Sequence, residues 1–284
     1  MGKAQYMTTS TNIVPTIRRH DGVEIPQLGF GVFQIPREKT EEAVSRALQT
    51  GYRHIDTAAA YRNEAEVGQA IRASGLSRDE VFVTTKCWND DHGFDRAKRA
   101  LHASLERLGF DYVDLYLIHW PVARKDRYVE TWKAFIEAQS EGLTRSIGVS
   151  NFQPGHLHRI IDETGTTPSV NQIELHPYLQ QQELRGEHAA LGIATEAWSP
   201  LAQGQVLDDP VITKIAKSRG KSPAQVVLRW HLDLGNIVFP KSVTPERIEE
   251  NFDVFDFEPS GDDLEQIASL DRGERTGPDP DTFG

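Results

Sequence analysis

The chain has 284 residues, of which 38% are hydrophobic and 26% charged, and a formal net charge of −11. This composition supports one large core, and no apolar run approaches the roughly 18 residues that a transmembrane helix needs. The start of the chain lacks the apolar stretch of a secretory signal, so we expect a cytoplasmic protein, and its acidity argues against nucleic-acid binding.

Short β-branched runs alternate with longer amphipathic stretches along the chain, a pattern typical of repeated β–α units. Ahead of them, residues 17–19 and 24–25 flank Asp21-Gly22, which predicts a hairpin with a two-residue turn. Eight strands are then expected, at residues 28–33, 54–56, 81–85, 113–119, 146–149, 169–172, 194–197 and 237–239.

Helices are predicted between these strands where apolar residues recur at spacings of three and four. Pro154, Pro223 and Pro245 would occupy the first turn of their helices, and Ser222 and Thr244 are the expected N-caps of the last two. The predicted helices cover residues 41–49, 64–74, 95–108, 127–140, 154–162, 208–218, 223–232 and 245–255.

Eight such units close more naturally into a barrel than they lie in an open sheet. We therefore predict an α/β protein with a single (β/α)8 TIM-barrel domain over residues 1–284. A β-hairpin would cap its N-terminal side, and two helices would be additional to the repeat, of which 208–218 is one. Residues 1–15 and 272–284 are expected to be flexible ends.

Polar or aromatic residues recur at the ends of the predicted strands. In a barrel the carboxyl ends of all strands meet on one rim, where functional residues collect. Any one of them could merely mark where a strand meets water, but the repetition along the chain favours a site. The residues are Asp56, Lys86, His119, Ser150, Asn151, Gln172, Trp198, Ser199, Lys241 and Ser242.

Four long motifs lie at these strand ends: GYRHIDTAAAYRNEAEVGQAI (51–71), LERLGFDYVDLYLIHWP (105–121), IGVSNF (147–152) and FPKSVTPERIEENFDVFDF (239–257). They resemble the aldo-keto reductases, and Trp198, where many relatives carry Tyr, resembles the prokaryotic branch that includes the 2,5-diketo-D-gluconate reductases. The similarity runs from residue 28 to about residue 271. It implies a barrel that binds a nicotinamide cofactor without the GxGxxG fingerprint, whose third glycine this chain lacks after Gly29 and Gly31.

The resemblance carries the family's four catalytic residues onto Asp56, Tyr61, Lys86 and His119. Carbonyl reduction needs a hydride donor at the carbon and a proton donor at the oxygen. Free tyrosine, with a pKa near 10, is a poor acid at neutral pH. A nearby Lys86 ammonium is expected to lower the pKa of Tyr61, with Asp56 orienting the lysine and His119 orienting the substrate oxygen.

The same resemblance implies the cofactor contacts. Ser150, Asn151 and Gln172 would hold the nicotinamide carboxamide, Trp198 would stack on the ring, and Ser199 and Leu201 would contact the pyrophosphate.

The choice of cofactor is expected to depend on a basic segment after the last strand. Lys241, Ser242 and Arg247 supply two cations and a hydroxyl, the groups that grip a 2′-phosphate, and Glu250 and Asn251 would bind adenine. We therefore predict NADPH over NADH. The alternative interpretation is a solvated helix N-terminus.

An aromatic pocket is predicted from Phe33, Trp88 and Trp120, which follow the first, third and fourth strands. The short connection after Pro121 suggests an open mouth and a small or polar substrate. Sugar ketones, α-dicarbonyls such as methylglyoxal, and aromatic aldehydes all remain open, as does the direction of the reaction in the cell. By resemblance, the loops and the tail from residue 272 set specificity.

The remaining expectations concern metals, thiols and rival functions. Ten scattered histidines show no ligand spacing, so no metal is expected, and the single Cys87 is interpreted as a small packed residue. A monomer is favoured because no exposed apolar helix face stands out. A non-catalytic NADPH-binding sensor and a sugar-phosphate-handling barrel are the alternative functions, and the complete set of four catalytic residues argues against the first.

Overall fold

The computed structural model describes residues 14–283, so residues 1–13 of the expected flexible N-terminal end lie outside it. It opens with an antiparallel hairpin of β1 (Thr16–Arg18) and β2 (Glu24–Pro26), in which Ile17 pairs with Ile25. The predicted two-residue turn is wrong in length. The Arg19 amide donates to the Val23 carbonyl, and the Asp21 carboxylate accepts from the Val23 amide, so the loop is longer.

Eight parallel strands form a nearly closed barrel, as predicted. Each strand pairs with its neighbour in the chain, and a bridge between Leu28 and Val238 brings the first beside the last. The strands are β3 (Phe30–Gly31), β4 (His54–Asp56), β5 (Phe82–Cys87), β6 (Val113–Ile118), β7 (Thr144–Ser150), β8 (Val170–Glu174), β9 (Ala194–Trp198) and β10 (Ile237–Val238).

The bounds of several strands differ from the predicted ones. β3 is shorter, and the Gly29 and Gly31 backbones there lie so close to Phe239 that a Cβ on Gly29 would come 2.6 Å from its ring. β5, β7 and β9 are longer than predicted, so Lys86, Ser150 and Trp198 lie inside strands rather than after them. The side chain of a residue within a strand points in a defined direction, so the positions of these three side chains are more rigid than they would be in a loop.

Between residues 14 and 283, ten α-helices accompany the strands. Of these, α7 and α10 are the two additional to the repeat; α6 and α10 were not among the predicted helices. In α6, Leu184 and His188 are the buried residues, so its apolar period is weak. The helices are α1 (Arg37–Thr50), α2 (Glu64–Ala73), α3 (Phe94–Leu108), α4 (Tyr128–Ser140), α5 (Pro154–Thr164), α6 (Gln182–Leu191), α7 (Pro210–Arg219), α8 (Pro223–Asp233), α9 (Pro245–Phe252) and α10 (Gly261–Ala268).

The two predicted N-caps behave differently. Ser222 caps α8 as expected, since its hydroxyl accepts the Gln225 amide. Thr244 precedes α9 but makes no side-chain cap. Its amide instead donates to the hydroxyl of Ser242, so this prediction is wrong at the level of the side chain.

The core has two parts, which determine where a ligand can enter. A larger cluster fills the space between the strands and the helices. A smaller one fills the barrel interior, and it includes Val23 and Ile25 of the hairpin, packed with Phe82, Leu115 and Ile237. The hairpin thus closes the amino end of the barrel. The carboxyl end of the strands is left as the open face.

None of the helices over residues 14–283 is both long and apolar enough to cross a membrane.

Candidate functional site

A cavity of about 1370 Å3 opens at the carboxyl ends of the barrel strands. Most of the residues singled out from the sequence line it, although they are far apart in the chain. Those that line it are Phe33, Asp56, Tyr61, Trp88, His119, Trp120, Ser150, Asn151, Gln172, Trp198, Ser199, Leu201, Lys241 and Arg247. Lys86 is fully buried beneath its floor.

Lys86 connects the residues at the bottom of the cavity. Its Nζ lies 2.8 and 2.7 Å from the two carboxylate oxygens of Asp56, 2.9 Å from the Thr57 carbonyl oxygen and 3.4 Å from the Tyr61 phenolic oxygen. The ring of His119 packs edge-on against that of Tyr61, with 5.7 Å between the two centroids. Asp56 ends β4, Lys86 lies in β5 and His119 directly follows β6, so three adjacent strands fix this cluster.

The surroundings set the protonation of these groups. Burial alone would lower the pKa of Lys86, but the adjacent carboxylate of Asp56 raises it above its ordinary value. The Lys86 ammonium lowers the pKa of Tyr61, as predicted, but burial raises it by more, so the pKa of Tyr61 lies above its ordinary value. Burial and the charge of Lys86 hold the pKa of His119 well below its usual range. At neutral pH the cluster therefore holds an ammonium, a protonated phenol and a neutral imidazole.

Asn151 ties three strand ends together above this cluster. Its amide nitrogen donates to the His119 carbonyl oxygen and to the Ser150 hydroxyl, both at 3.0 Å. Its amide oxygen accepts from the Trp198 indole N–H at 2.9 Å. The residue has a φ of +64°, a left-handed conformation that is tolerated here because these contacts fix it.

Gln172 lies between two buried carboxyl groups. Its Nε2 donates to Asp56 Oδ1 at 2.9 Å and to Glu196 Oε2 at 3.0 Å. Both amide hydrogens are thereby used, so the carbonyl oxygen is the polar atom left for the cavity that the side chain lines. Glu196 was not among the residues predicted from the sequence, where the available signal was a single acid inside an apolar strand.

Two cations mark the far edge of the cavity. Lys241 and Arg247 line it, both are exposed, and neither makes an ion pair with any residue among 14–283. The other residues expected beside them do not line the cavity. The Ser242 hydroxyl accepts a hydrogen bond from the Thr244 amide, and Asn251 is buried on the inner face of α9. Glu250 is also not among the residues that line the cavity. Contacts of these three with a cofactor remain predictions.

Aromatic rings surround the other end of the cavity. The ring of Phe33 packs on Tyr61, 5.0 Å away, and Trp88 packs edge-on against His119 at 5.1 Å. Phe283 from the tail lies 4.4 Å from Trp120. The connection after Pro121 is short, as expected. Phe283 of the tail, and not this connection, forms the wall of the cavity on this side.

The tail is held against the barrel by Glu174, a fully buried carboxylate at the end of β8. Its Oε1 accepts from the Thr276 amide and hydroxyl, both at 2.6 Å, and from the Gly277 amide at 3.2 Å. Burial opposes its ionisation, but the bonds from His176 and Thr276 lower the pKa of Glu174 overall. Such long-range contacts have no local signal in the sequence. The flexibility expected for residues 272–284 stays a prediction.

Neither a metal site nor a reactive thiol is found among the residues that the structure describes. Over residues 14–283, no cluster of three or more His, Cys, Asp or Glu side chains is placed to hold a metal ion. Cys87 is fully buried, and burial raises the pKa of its thiol to about 12, so the thiolate is scarce at neutral pH.

Known proteins resemble this chain in both sequence and structure. The model of the aldo/keto reductase family matches residues 27–272. An aldo-keto reductase of Mycolicibacterium smegmatis is 63% identical over 269 residues, which cover 95% of this chain and 98% of the relative. The methylglyoxal reductase DkgA of Escherichia coli (strain K12) is 57% identical over 270 residues, covering 94% and 98%.

A solved structure agrees with these sequence matches. The crystal structure of a Gox0644 mutant in complex with NADPH superimposes with a TM-score of 0.92 at 48% identity, over 96% of this chain and 99% of that one. Fold, sequence and the arrangement at the carboxyl ends of the strands all point the same way: this chain belongs to the aldo/keto reductase family.

Proposed function

We propose that this chain is an NADPH-dependent reductase that converts the carbonyl group of small aldehydes and ketones to an alcohol. The observation that carries the proposal is the Lys86 ammonium, which contacts both Asp56 and the phenolic oxygen of Tyr61 at the floor of the cavity. That geometry provides a proton donor next to a fixed positive charge. It is the requirement for protonating an oxygen on which negative charge develops.

The residues present fit an extended dinucleotide with a 2′-phosphate. A volume of about 1370 Å3 exceeds the roughly 300–1,000 Å3 of ordinary ligand sites, which leaves space for a cofactor and a substrate. Lys241 and Arg247, unpaired among residues 14–283, would hold the phosphate. At the opposite end, Gln172, Ser150 and Asn151 would hold the carboxamide, and Trp198 would cover the ring.

When bound, NADPH supplies a hydride to the carbonyl carbon. Tyr61 donates its phenolic proton to the carbonyl oxygen as the electron pair of the C=O bond moves onto that oxygen. His119, neutral and facing the same part of the cavity, orients the oxygen by a hydrogen bond. The Lys86 ammonium, 3.4 Å from the phenolic oxygen, stabilises the phenolate until it regains a proton from water.

The substrates we favour are small α-dicarbonyls such as methylglyoxal. The E. coli relative at 57% identity is named a methylglyoxal reductase. The aromatic end of this cavity, narrowed by Phe283 against Trp120, suits a compact carbonyl compound. We also propose that the protein is a cytoplasmic monomer. Its net charge of −11 argues against binding to nucleic acid, whose phosphates are also negative.

The test is NADPH oxidation by the purified chain with methylglyoxal, 2,5-diketo-D-gluconate and an aromatic aldehyde. We expect turnover with at least the dicarbonyl, and greater efficiency with NADPH than with NADH. A protein that binds NADPH in a calorimetric titration but reduces none of these carbonyls would favour the non-catalytic sensor. Failure to bind NADPH would overturn the proposal altogether.

A further inference from the structure

Glu196 is a buried acid that the proposed reaction does not use. It lies in β9, in register with Gln172 of β8 on one side and Ile237 of β10 on the other, and its side chain is fully buried. Oε2 accepts the Gln172 amide at 3.0 Å. Oε1 has no hydrogen-bond partner in the part of the chain that the structure describes. Burying a carboxyl oxygen without a hydrogen-bond partner costs free energy, so we expect this residue to have a functional role.

The contact with Gln172 gives Glu196 a link to the reacting end of the cavity. The Gln172 amide nitrogen is shared between Asp56 Oδ1 and Glu196 Oε2. Rotating the amide by half a turn would place its carbonyl oxygen against the Asp56 carboxylate, which is repulsive. The two carboxyl groups thus hold the amide in one orientation, with its carbonyl oxygen left as an acceptor for the cavity.

Burial, together with the nearby Asp56 anion, favours the neutral form of Glu196 over the opposing effects of the Gln172 hydrogen bond and two cations. Asp56 of β4 approaches it as an anion, and Lys86 of β5 and Arg19 of the hairpin oppose that effect as cations. Burial and then Asp56 raise the pKa of Glu196 to about 8. A neutral carboxyl still accepts the Gln172 hydrogen bond, yet adds no second negative charge beside the Asp56–Lys86 pair.

We propose that Glu196 is a positioning residue that, as a neutral carboxyl, fixes the Gln172 amide toward the nicotinamide and leaves Asp56 as the one anion paired with Lys86. This inference rests on the proposed function, since it concerns the same cavity. Its sharpest consequence is electrostatic. Once ionised, Glu196 places an extra negative charge near the cofactor ring, which favours the cationic ring of NADP+ over the neutral ring of NADPH.

The test is the dissociation constant of each cofactor form, measured by quenching of protein fluorescence at about pH 6.5 and about pH 9. In the wild type, the ratio of the NADP+ to the NADPH dissociation constant should fall about three- to tenfold as the pH rises, because an added nearby charge acts on the charged ring alone. Glu196→Gln keeps an acceptor oxygen but cannot ionise. It should bind both forms as the wild type does at the lower pH and lose the shift.

Two more variants separate positioning from a general disturbance of β9. Glu196→Ala removes the acceptor and should weaken the binding of both cofactor forms about tenfold, since Gln172 is no longer held. Thr195→Val is the control: the neighbouring side chain points to α6, where it bonds His188 at 2.9 Å, and its loss should leave the cofactor ratio and its pH dependence unchanged.

Protonation can also be seen directly. The infrared carbonyl band of a protonated carboxyl should be present at about pH 6.5, disappear by about pH 9.5 and be missing in Glu196→Gln.

The results divide clearly. The inference is overturned if Glu196→Gln retains the wild-type pH shift in the cofactor ratio, or if Glu196→Ala binds both forms normally. If Glu196→Ala does not fold, Glu196→Gln alone decides. A wild type that neither binds NADPH nor reduces any carbonyl contradicts the proposed function itself. A competent wild type with indistinguishable Glu196 variants contradicts only the positioning role.

Discussion

The ammonium nitrogen of Lys86 lies 3.4 Å from the phenolic oxygen of Tyr61 while both carboxylate oxygens of Asp56 hold it from behind. Lys86 has no exposed surface, so its charge is not screened by bulk water. Tyr61 is protonated in the resting protein. The Lys86 ammonium lies beside the oxygen that becomes negative when the phenol loses its proton. The same relationship makes the phenol both available as an acid and able to lose its proton.

The two cations at the far edge of the cavity are predicted to determine cofactor choice. Lys241→Ala and Arg247→Ala should each weaken NADPH binding about 10- to 100-fold, because each removes a charge-assisted contact to the 2′-phosphate, and should change NADH binding little. Titration with both cofactors measures this. Lys217→Ala, an exposed lysine of α7 outside the cavity, is the matched control. Equal losses for both cofactors would argue against the assignment.

The tail residue Phe283 is predicted to limit substrate size. Phe283→Ala removes the ring that lies 4.4 Å from Trp120. An aromatic contact contributes about 0.5–1.5 kcal/mol, so KM for methylglyoxal should rise about two- to tenfold. The catalytic efficiency with bulky aromatic aldehydes should rise relative to that with methylglyoxal. Phe94→Ala, a 37% exposed phenylalanine of α3 outside the cavity, should change neither value. An unchanged substrate ranking in Phe283→Ala would contradict this role.

Close packing of α2 on the end of α3 predicts a position that tolerates no side chain. A Cβ on Gly68 would come 1.9 Å from the Leu108 carbonyl oxygen, whereas one on Gly186 of α6 meets nothing within 4 Å. Gly68→Ala should therefore cost about 1–3 kcal/mol or more. Gly186→Ala should stabilise by about 0.5–1 kcal/mol. Thermal unfolding compares the two, and equal Tm values would show that the α2–α3 contact is looser than described.

Buried histidines predict a loss of stability in acid. Burial lowers the pKa of His54 and His231 to about 3, and that of His92 and His188 to about 4. Below about pH 6.5 the unfolded chain takes up protons at these rings and the folded chain does not, so the free energy of unfolding falls with pH.

Glu196 acts in the opposite direction, because its pKa is raised, to about 8, in the fold. As pH falls from about 8 to about 4.5, the folded state gains relative stability from this one group. Four histidines outweigh it. The Tm should fall by about 5 °C or more between pH 7 and pH 5; a constant or rising Tm over that range would show that these imidazoles titrate normally.

The barrel and most of the lining residues were predictable because parallel strands carry their carboxyl ends to one rim. Asp56, Lys86 and His119 therefore converge whatever the details of packing. Glu196 was not predictable in this way. Strands buried on both faces show no alternation that would indicate which residues point inward. The anchoring of the tail by Glu174 joins residues about a hundred positions apart and has no periodic signal.

On α9, the spacing of residues in the sequence did not predict which side chains face the cavity. Arg247 and Asn251 are four residues apart, a spacing at which two side chains lie on the same face of a helix. In the structure Arg247 is exposed and lines the cavity, while Asn251 is buried. α9 packs against α1 and α8, which buries Asn251 and leaves Arg247 exposed. The rotation of the helix about its own axis cannot be read from the sequence.

The central claim is that the phenol of Tyr61 is the proton donor, and Tyr61→Phe tests it most directly because one oxygen is removed. Tyr52→Phe is the matched control, since that hydroxyl bonds the Ile248 carbonyl away from the cavity. Single-turnover reduction of methylglyoxal should slow about 10²- to 10⁴-fold in Tyr61→Phe, with NADPH affinity kept within about threefold and Tyr52→Phe near wild type. A Tyr61→Phe variant that binds NADPH and still reduces methylglyoxal at a rate close to the wild type would contradict the account.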